Sequence, residues 1–300
     1  MTTKGEKRLA YTVLALPAVI IYLAVVAFPT IFSVLLSLTD YNGGPIFGNP
    51  DIHFVGLKNY IWMFTEPSRN FYLALKNNML IVGVSVFGQI PLGFLLAYIL
   101  ARKLIKRGTR FFQTMIYLPN VISSIIIGVL FRAIIYTRDS LLLEIRKIFD
   151  PTASFVMISN PMLPVLIVIL WMYTGFYMII FLANMQRIDP AVIEAARIDG
   201  AKESRILWHI MLPALSGVII TTAILAISGS LKSFDLIYGM TQGGPAGLTR
   251  VLSLYMYQSA FSTAPNYPLA NAISTVMVLI SIVLILIVNG LGKAFREKEV

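Results

Sequence analysis

The chain has 300 residues, of which 57% are hydrophobic and only 13% are charged, and its net charge is +10. Soluble domains carry about 25% charged residues, so this composition excludes an ordinary soluble domain and indicates an integral membrane protein. The chain contains no cysteine, which excludes disulfides, thiolate metal sites and cysteine nucleophiles.

Six long apolar stretches predict an all-α integral membrane fold, because a transmembrane helix needs about 20 apolar residues. They cover residues 11–38, 79–101, 111–131, 162–185, 214–231 and 269–291. None of the six contains Asp, Glu, Lys, Arg or His, and five prolines inside them predict kinks. We therefore expect one polytopic domain of six transmembrane helices across residues 1–300.

Clusters of basic residues orient the predicted helices. They are Lys4, Lys7 and Arg8 before the first stretch, five cations between Arg102 and Arg110 after the second, and Lys293, Arg296 and Lys298 after the sixth. The positive-inside rule places such clusters in the cytoplasm, so both termini are predicted to be cytoplasmic. We expect these cations to contact anionic membrane lipid and not nucleic acid.

Residues 189–213, between the fourth and fifth stretches, form a polar insert that the same rule places in the cytoplasm. Asp189 and Pro190 are a typical N-cap and first helical residue, and Gly200 is a typical helix end. A second short helix is expected from near Lys202 towards Pro213. The insert is therefore predicted to form two short helices at an angle, with its charged residues on one side.

The insert reads EAARIDGAKESRILWHIMLP from Glu194. It resembles the "EAA" loop of ATP-binding cassette importer permeases, whose motif falls here on Glu194, Ala195, Ala196, Gly200, Ile210, Leu212 and Pro213. The resemblance implies that the insert is a coupling helix that docks into a cleft of a partner ATPase. It further implies that Glu194 pairs with a basic residue of the ATPase, that the two alanines allow close approach, and that Gly200 permits the bend.

Two further segments resemble the carbohydrate-uptake group of these permeases. One contains TQGGP at 241–245 and YMYQSAF at 255–261, and the other is FVGLKNY at 54–60. The chain is similar to the first permease subunit of the maltose and sn-glycerol-3-phosphate type transporters, and we expect it to be a shorter relative without that maltose subunit's extra amino-terminal spans and large outer domain. The resemblance implies ATP-driven sugar import by alternating access, in the cytoplasmic (inner) membrane of a bacterium or archaeon.

The same resemblance implies the partners of the chain. They are a second permease subunit of different sequence, two ATP-binding cassette ATPase subunits and an extracytoplasmic solute-binding protein. The chain has no G-x-x-x-x-G-K-[ST] phosphate loop, so we expect ATP and Mg²⁺ to bind the partner ATPase and no cofactor to bind this chain. Its two histidines fall on opposite sides of the predicted membrane, so we expect neither a metal site nor an enzyme.

Solute contacts in the related maltose subunit cluster in the spans that flank the coupling loop. Carried over to this chain, the resemblance implies sugar contacts at Trp171, Thr174, Gly175, Tyr177, Ser228, Ser230 and Ser233. Hydroxyl groups and aromatic faces suit a sugar, but serine and glycine in spans also serve helix packing. Serines stand where the maltose subunit has asparagines, so we expect a different site geometry and a different sugar.

Lys232, at the predicted outer end of the fifth span, leaves the charge of the solute open. Its ammonium group could extend towards water or lipid headgroups, or it could bind an anionic polyol phosphate such as glycerol 3-phosphate. An ion-gradient-driven carrier is the third alternative. The absence of ionisable residues in the six stretches disfavours a proton relay, whereas a sodium site made of backbone carbonyls stays open.

Overall fold

The computed structural model describes residues 4–46, 48, 50, 52–66, 71–102, 108–137, 140–150, 152 and 159–296, with side-chain surroundings between Thr12 and Lys293. Every regular element in these ranges is helical, apart from one isolated bridge between Thr39 and Phe54. The predicted all-α class is confirmed. Lys103, Lys106, Arg107 and Lys298 lie outside the described residues, and the side chains of Lys4, Lys7, Arg8 and Arg296 do so too.

Thirteen helices follow one another in the described ranges, several of them containing a π-helical turn. Helix α1 comprises Lys4–Tyr22, Leu23–Ala27 and Phe28–Ser37; α2 is Lys58–Thr65; α3 is Phe71–Ala101 with a π-turn at Ser85–Gln89. Then come α4 (Thr109–Val121), α5 (Ser124–Phe131 and Arg132–Tyr136), α6 (Leu141–Phe149), α7 (Met162–Met185), α8 (Pro190–Ile198) and α9 (Glu203–Ala214). The last four are α10 (Ser216–Leu231), α11 (Asp235–Thr241), α12 (Leu252–Phe261) and α13 (Tyr267–Arg296).

The described residues divide into two compact units. The first lies within Met1–Arg69 and Tyr255–Met277, and the second within Asn70–Leu254 and Val278–Val300. In the first unit, the amide of Asn59 on α2 donates to the carbonyls of Ser37 and Thr39, both at 2.8 Å. These bonds satisfy carbonyl groups at the end of α1, which a helix end otherwise leaves unpaired. The segment 54–60 thus anchors the end of the first apolar helix.

The second unit is packed through small residues that let helix backbones approach closely. A Cβ atom at Gly93 of α3 would lie 2.9 Å from the backbone nitrogen of Met178 on α7. Likewise, a Cβ at Gly128 of α5 would lie 2.7 Å from the carbonyl oxygen of Leu236 on α11. Such contacts are a usual way of packing helices in a membrane, where no hydrophobic force drives them together.

Four described helices are long and apolar enough to span a membrane, and the number rises to six if each of two bent pairs is one span. Helix α7 runs from Met162 to Met185, as predicted, whereas α3 begins at Phe71 and not at 79. The prediction of one helix over 111–131 is wrong. Ile122 and Ser123 have extended backbone (ψ 141° and 130°), which separates α4 from α5.

The predicted fifth span is also part of a bent pair. Helices α9 and α10 meet at 68° beside Leu215, so the insert does not continue straight into the span. Pro213 lies just before this bend. A proline removes a backbone donor and crowds the preceding turn, which makes a kink here physically reasonable.

Candidate functional site

The insert forms the two short helices that the sequence predicts. The Asp189 side chain caps α8 by accepting a hydrogen bond from the backbone N–H of Ala191 at 2.9 Å, and Pro190 is the first helical residue. Helix α8 ends at Ile198, and Gly200 has φ +77°, a conformation that favours glycine. Helix α9 begins at Glu203. Helix α8 therefore begins and ends where the sequence pattern predicts.

The two halves of the EAA-like motif have different surroundings. Glu194, Ala195 and Gly200 are exposed, and Ala196 is half-buried. The second half, made of Ile210, Leu212 and Pro213, is partly buried. Ile193 and Ile206 hold the insert to the bundle, since both are buried in one apolar cluster with residues of α3 and α7. One side of the insert is thus packed, and the side with Glu194 is free for a partner.

Glu203, which sequence reasoning left without a role, forms the densest ionic network in the described part of the chain. Its carboxylate accepts hydrogen bonds from Arg102 on both oxygens, from Arg197 at 2.7 Å and from the Tyr98 hydroxyl at 3.0 Å. Hydrogen bonds from Arg102, then from Arg197, lower the pKa of Glu203 to about 2. The carboxylate therefore stays ionised at any physiological pH.

A polar cavity of about 190 Å³ lies within the second unit. Its hydrogen-bonding lining residues come from five helices and one connection. They are Ser85 and Gln89 from α3, Ser124 from α5, Tyr173 and Tyr177 from α7, Ser230 from α10, Asp235 from α11, and Lys232 and Ser233 from the connection between α10 and α11. Apolar side chains such as Ile81 and Ile169 complete the wall. A few convergent polar groups on an apolar wall are typical of a binding site for a small molecule.

Hydrogen bonds between neighbouring helices hold the polar groups of the cavity in place. Ser230 Oγ donates to Ser85 Oγ at 3.0 Å, and Ser124 Oγ lies 3.0 Å from the Tyr173 hydroxyl. The buried Gln89 donates through Nε2 to the carbonyl of Ile169 at 2.7 Å. Ser85 and Gln89 are the two ends of the π-turn in α3, a distortion that is frequent at functional sites.

Two charged residues, Lys232 and Asp235, line the exposed edge of the cavity. Lys232 is the C-cap of α10 and Asp235 is in the first turn of α11, where their charges complement the helix dipoles. Neither forms an ion pair with any residue that the structure describes. Both charges are therefore available to a solute that enters the cavity.

The cavity includes only some of the residues that the sequence predicts as solute contacts. Tyr177, Ser230, Lys232 and Ser233 line it, whereas Trp171, Thr174, Gly175 and Ser228 do not. Trp171 is half exposed and packs edge-on against Phe131, and Thr174 donates to the carbonyl of Leu170 in its own helix. Gly175 lets α7 approach the backbone of Ile116 on α4, and Ser228 is half-buried on α10.

Sequence reasoning missed Ser85, Gln89, Ser124, Tyr173 and Asp235. Gln89 could have been predicted as a functional residue, because it is the one amide inside the second apolar stretch. A buried polar group in a membrane span needs a partner and often marks a solute pathway. Ser124 and Asp235 could not be predicted in this way, since a serine inside a span also serves helix packing and an acidic residue is common at the start of a helix.

Two adjacent asparagines of α3 tie the TQGGP-containing segment to the helices beside the cavity. The amide of Asn77 donates to the carbonyls of Leu248 and Arg250 at 2.9 and 2.8 Å. Asn78 donates to the carbonyl of Ser230 and accepts from the N–H of Leu252 at 2.7 Å. Both side chains are buried. The amides therefore fix the loop 242–251 to α3 and α10, next to the cavity.

A second concavity of about 440 Å³ is almost entirely apolar. It is lined by residues of α3, α7, α9 and α10, including Phe87, Phe94, Trp208 and Leu212. The lining offers too few hydrogen-bond groups for a sugar, whose hydroxyl groups would lose their bonds to water on entry. The smaller polar cavity is therefore the better candidate for a solute site.

Comparisons with known proteins agree with this architecture. Residues 89–298 match the model of the family described as binding-protein-dependent transport system inner membrane component. The chain is 32% identical to the probable ABC transporter permease protein YurN of Bacillus subtilis, over 93% of this chain and 94% of the relative. It is 33% identical to the lactose transport system permease protein LacF of Rhizobium radiobacter, over 89% of each chain.

A solved structure has the same fold. It is a chain in the crystal structure of a bacterial ABC transporter involved in the import of the acidic polysaccharide alginate. The TM-score is 0.77 at 23% sequence identity, and the match covers 97% of this chain and 98% of that chain.

Proposed function

The chain belongs to the family of binding-protein-dependent transport system inner membrane components, and from this premise we propose that it carries a sugar across the cytoplasmic membrane. It is a permease subunit of an ATP-binding cassette importer, and its relatives include sugar-transport permeases. We propose that the sugar, a mono- or oligosaccharide, passes by alternating access. The polar cavity between apolar helices is the observation that carries the proposal.

In the proposed topology, one polytopic domain crosses the membrane six times. One span is the bent pair of α4 with α5, and another is α10, with α9 of the second bent pair lying in the insert at its cytoplasmic end. The basic residues Arg102, Arg110 and Lys293 then lie on the cytoplasmic side, together with the insert and both termini. This assignment is supported by the positive-inside rule and by the even number of spans.

The proposed role of the insert is to dock onto an ATPase. The exposure of Glu194, Ala195 and Gly200 supports this role, because a docking surface must be free in the separate subunit. Ala196 lies beside this surface, whereas Ile210, Leu212 and Pro213 connect it to the bundle. ATP and Mg²⁺ would bind the two ATPase subunits and not this chain. Closure of the ATPases on ATP would move the insert and open the bundle outward, and hydrolysis would reset it.

The proposed sugar site combines predicted and newly found residues. Tyr173 and Tyr177 provide aromatic faces and hydroxyls, while Ser230, Ser233 and Gln89 provide hydrogen-bond groups. We assign packing roles to the four predicted contacts outside the cavity. With about 190 Å³, the cavity is smaller than the roughly 300–1,000 Å³ usual for small-molecule sites. A second permease subunit would supply the remaining wall, and a solute-binding protein would deliver the sugar.

Two serines on α10 provide a matched test of the sugar site. Ser230 lines the cavity and Ser228, two residues earlier, does not. Uptake of labelled lactose, maltose and an alginate oligosaccharide is measured in cells that lack the chain and in complemented cells. We expect loss of the chain to abolish the uptake of at least one of the three.

Complementation with the two serine variants then locates the site. Ser230→Val should reduce that uptake by roughly tenfold, the cost of about one lost hydrogen bond and one unpaired polar group. Ser228→Val should restore it fully. Equal loss with both variants would overturn the cavity assignment. Unchanged uptake of all three solutes without the chain would contradict sugar import by this protein.

An anionic solute, such as a polyol phosphate, is the second candidate, and Lys232 is the observation that favours it. Its ammonium group lines the cavity without an ion-pair partner among the described residues. We expect Lys232→Gln to abolish uptake of an anionic solute and to spare a neutral sugar. Asp235, on the same edge, would repel an anion and weakens this alternative. An ion-gradient-driven carrier is the third alternative, and uptake by proteoliposomes without ATP would favour it.

A further inference from the structure

Glu203 connects the two helices of the insert with the end of α3, which lies 101 residues earlier in the sequence. It lies at the start of α9 and bonds to Arg197 of α8, to Tyr98 of α3 and to Arg102, the C-cap of α3. We call Glu203, Arg102, Tyr98 and Arg197 the clasp. The EAA-like motif does not include Glu203, so the role implied for that motif does not account for this residue.

The geometry of the clasp is stronger than that of an ordinary surface ion pair. Arg102 binds the carboxylate in a bidentate manner, with Nη2 at 2.8 Å from Oε1 and Nε at 3.2 Å from Oε2. The Arg102 side chain is only 11% exposed, and Tyr98 is 7% exposed. Bidentate and partly desolvated pairs hold a fixed orientation, whereas exposed single pairs contribute little.

Helix α3 leads without a break from the clasp to the cavity. It ends at Ala101, beside Arg102, and its π-turn at Ser85–Gln89 lines the cavity. Arg102 follows Gln89 by 13 positions, which corresponds to about 20 Å of helix. Between the two ends, Gly93 packs tightly against the backbone of α7. A shift of the clasped end of α3 therefore has a rigid path to Ser85 and Gln89.

The other paths from the insert to the cavity are less direct. The covalent path through α9 passes the 68° bend before it reaches Ser230 on α10. The path from α8 to α7 crosses the connection between Met185 and Asp189, which is not helical throughout. Only α3, among the helices that the structure describes, joins a polar contact with the insert to two polar residues of the cavity.

We propose that Glu203 is a positioning residue that transmits movement of the insert through Arg102 and α3 to the cavity. The clasp keeps the end of α3 in register with the insert, so displacement of the insert moves Ser85 and Gln89 relative to Ser230. This inference rests on the proposed role of the insert as the docking element for an ATPase. It adds a second connection between docking element and cavity, besides the chain itself.

The test uses the whole transporter and a label in the cavity. The chain has no cysteine, so Gly229→Cys, at an exposed lining position with no atom within 4 Å of its Cβ, supplies a single reactive thiol. The rate at which a maleimide modifies this thiol is measured in membranes with and without ATP. Co-purification of the ATPase is scored in the same preparations.

The expected results separate the clasp from the docking surface. In the Gly229→Cys chain, ATP should change the labelling rate by roughly five- to tenfold, as ordinary coupling energies allow. Adding Glu203→Gln should reduce this change to less than about twofold while the ATPase still co-purifies. The matched control is Glu144→Gln, which removes a surface ion pair with Lys147 on α6 and should leave the ATP effect intact.

A double-mutant cycle guards against a merely structural effect. If Glu203 acts through Arg102, then Arg102→Gln and the Arg102→Gln/Glu203→Gln double variant should lose the ATP effect to the same extent as Glu203→Gln. Additive losses would contradict a shared path. Should Glu203→Gln fail to accumulate, Glu203→Asp keeps the charge but shortens its reach, and a reduced ATP effect is expected.

Two outcomes overturn the proposal for different reasons. A full ATP effect in a Glu203→Gln preparation that retains its ATPase would refute the clasp and leave the proposed docking role standing. Absence of any ATPase from the preparation with Glu203 and Arg102 intact would refute both, because the clasp would then have no movement to transmit.

Discussion

The insert and the polar cavity are the two polar regions of an otherwise apolar chain, and they contain different kinds of polar group. The insert carries full charges, and its Glu203 forms ion pairs with Arg197 of the insert and with Arg102 at the end of α3. The interior of the cavity instead has neutral groups, Ser85, Gln89 and Ser230 among them, and charges occur only at its exposed edge. Burying an ionised side chain at membrane depth is costly, whereas a neutral hydrogen bond is affordable there.

The two kinds of polar group suit two different functions, recognition of a partner protein by the insert and passage of a solute through the cavity. Charged groups suit an element that must recognise another protein in water, since they select partners and orientation. Neutral hydroxyl and amide groups suit a passage for sugars, since they can pair with solute hydroxyls without holding a counter-ion. The clasp and helix α3 join the two regions. Substitutions that place a charge in the cavity, or that remove a charge near the insert, therefore test this difference most directly.

A charge introduced into the cavity should lower the stability of the chain more than any of the substitutions that follow. Gln89 is 1% exposed and its amide donates to the carbonyl of Ile169. Gln89→Glu replaces this donor by a carboxylate and should destabilise the chain by about 3–5 kcal/mol, the cost of an uncompensated buried charge. The matched control, Gln186→Glu at the exposed end of α7, should change stability by less than about 1 kcal/mol. Thermal unfolding in detergent measures both, and equal midpoints would contradict a cavity interior restricted to neutral groups.

Loss of the buried amide at Asn78 should cause the second largest loss of stability. Asn78→Leu leaves the carbonyl of Ser230 and the N–H of Leu252 without these bonds, which should cost about 2–4 kcal/mol. Asn184→Leu is the control, because Asn184 donates only to the carbonyl of Ile180 in its own helix. We expect faster hydrogen exchange around Leu252 in the first variant only. Unchanged exchange there would show that Asn78 does not hold the loop.

The stability of the chain should depend less on the two arginines of the clasp, and to an unequal extent. Arg102 is 11% exposed and bidentate, whereas Arg197 is 52% exposed and makes a single contact. Arg197→Gln should therefore change stability by about 0–1 kcal/mol, as exposed pairs do, and Arg102→Gln should cost more. Unfolding midpoints of the two variants decide this. A larger loss with Arg197→Gln would contradict the assignment of Arg102 as the main partner.

A pH series should produce the smallest effect, which is none in the physiological range. Because the arginines lower the pKa of Glu203 to about 2, the ion pairs stabilise the fold above the ordinary value of 4.5 and are lost only as pH falls towards 2. A spin label at Ile198→Cys, on the exposed end of α8, should keep the same mobility from about pH 8 to pH 5. Increased mobility between about pH 8 and pH 6 would contradict an ionised, tightly held Glu203.

Local signals predicted the insert well, and long-range contacts explain what was missed. The Asp189 cap and the positive φ of Gly200 depend on neighbouring residues, so the sequence pattern was sufficient for α8. The role of Glu203 depends on Arg102, which is 101 residues away. Likewise, Ser85 and Ser230 meet across 145 residues. No periodicity within one helix indicates such a pairing.

The break between α4 and α5 has a similar explanation. The stretch 111–131 is mostly apolar and contains no charged residue, so hydropathy predicts one span. The structure instead has extended backbone at Ile122 and Ser123, beside the bond between Ser124 and Tyr173. The break brings Ser124 to the cavity. Tertiary contacts of this kind override the local preference of an apolar stretch for a straight helix.

The most direct test of the account asks whether the exposed face of the insert holds an ATPase. The chain is purified from membranes in mild detergent, with and without the double substitution Glu194→Lys and Gly200→Pro, and co-purifying chains are identified by mass spectrometry. Proline cannot adopt the positive φ of Gly200, so the double variant removes both the predicted ion pair and the bend. We predict that the unmodified chain retains an ATPase and a second permease, and that the variant loses only the ATPase. An unmodified chain without an ATPase, or a variant that keeps it, would contradict the proposed coupling.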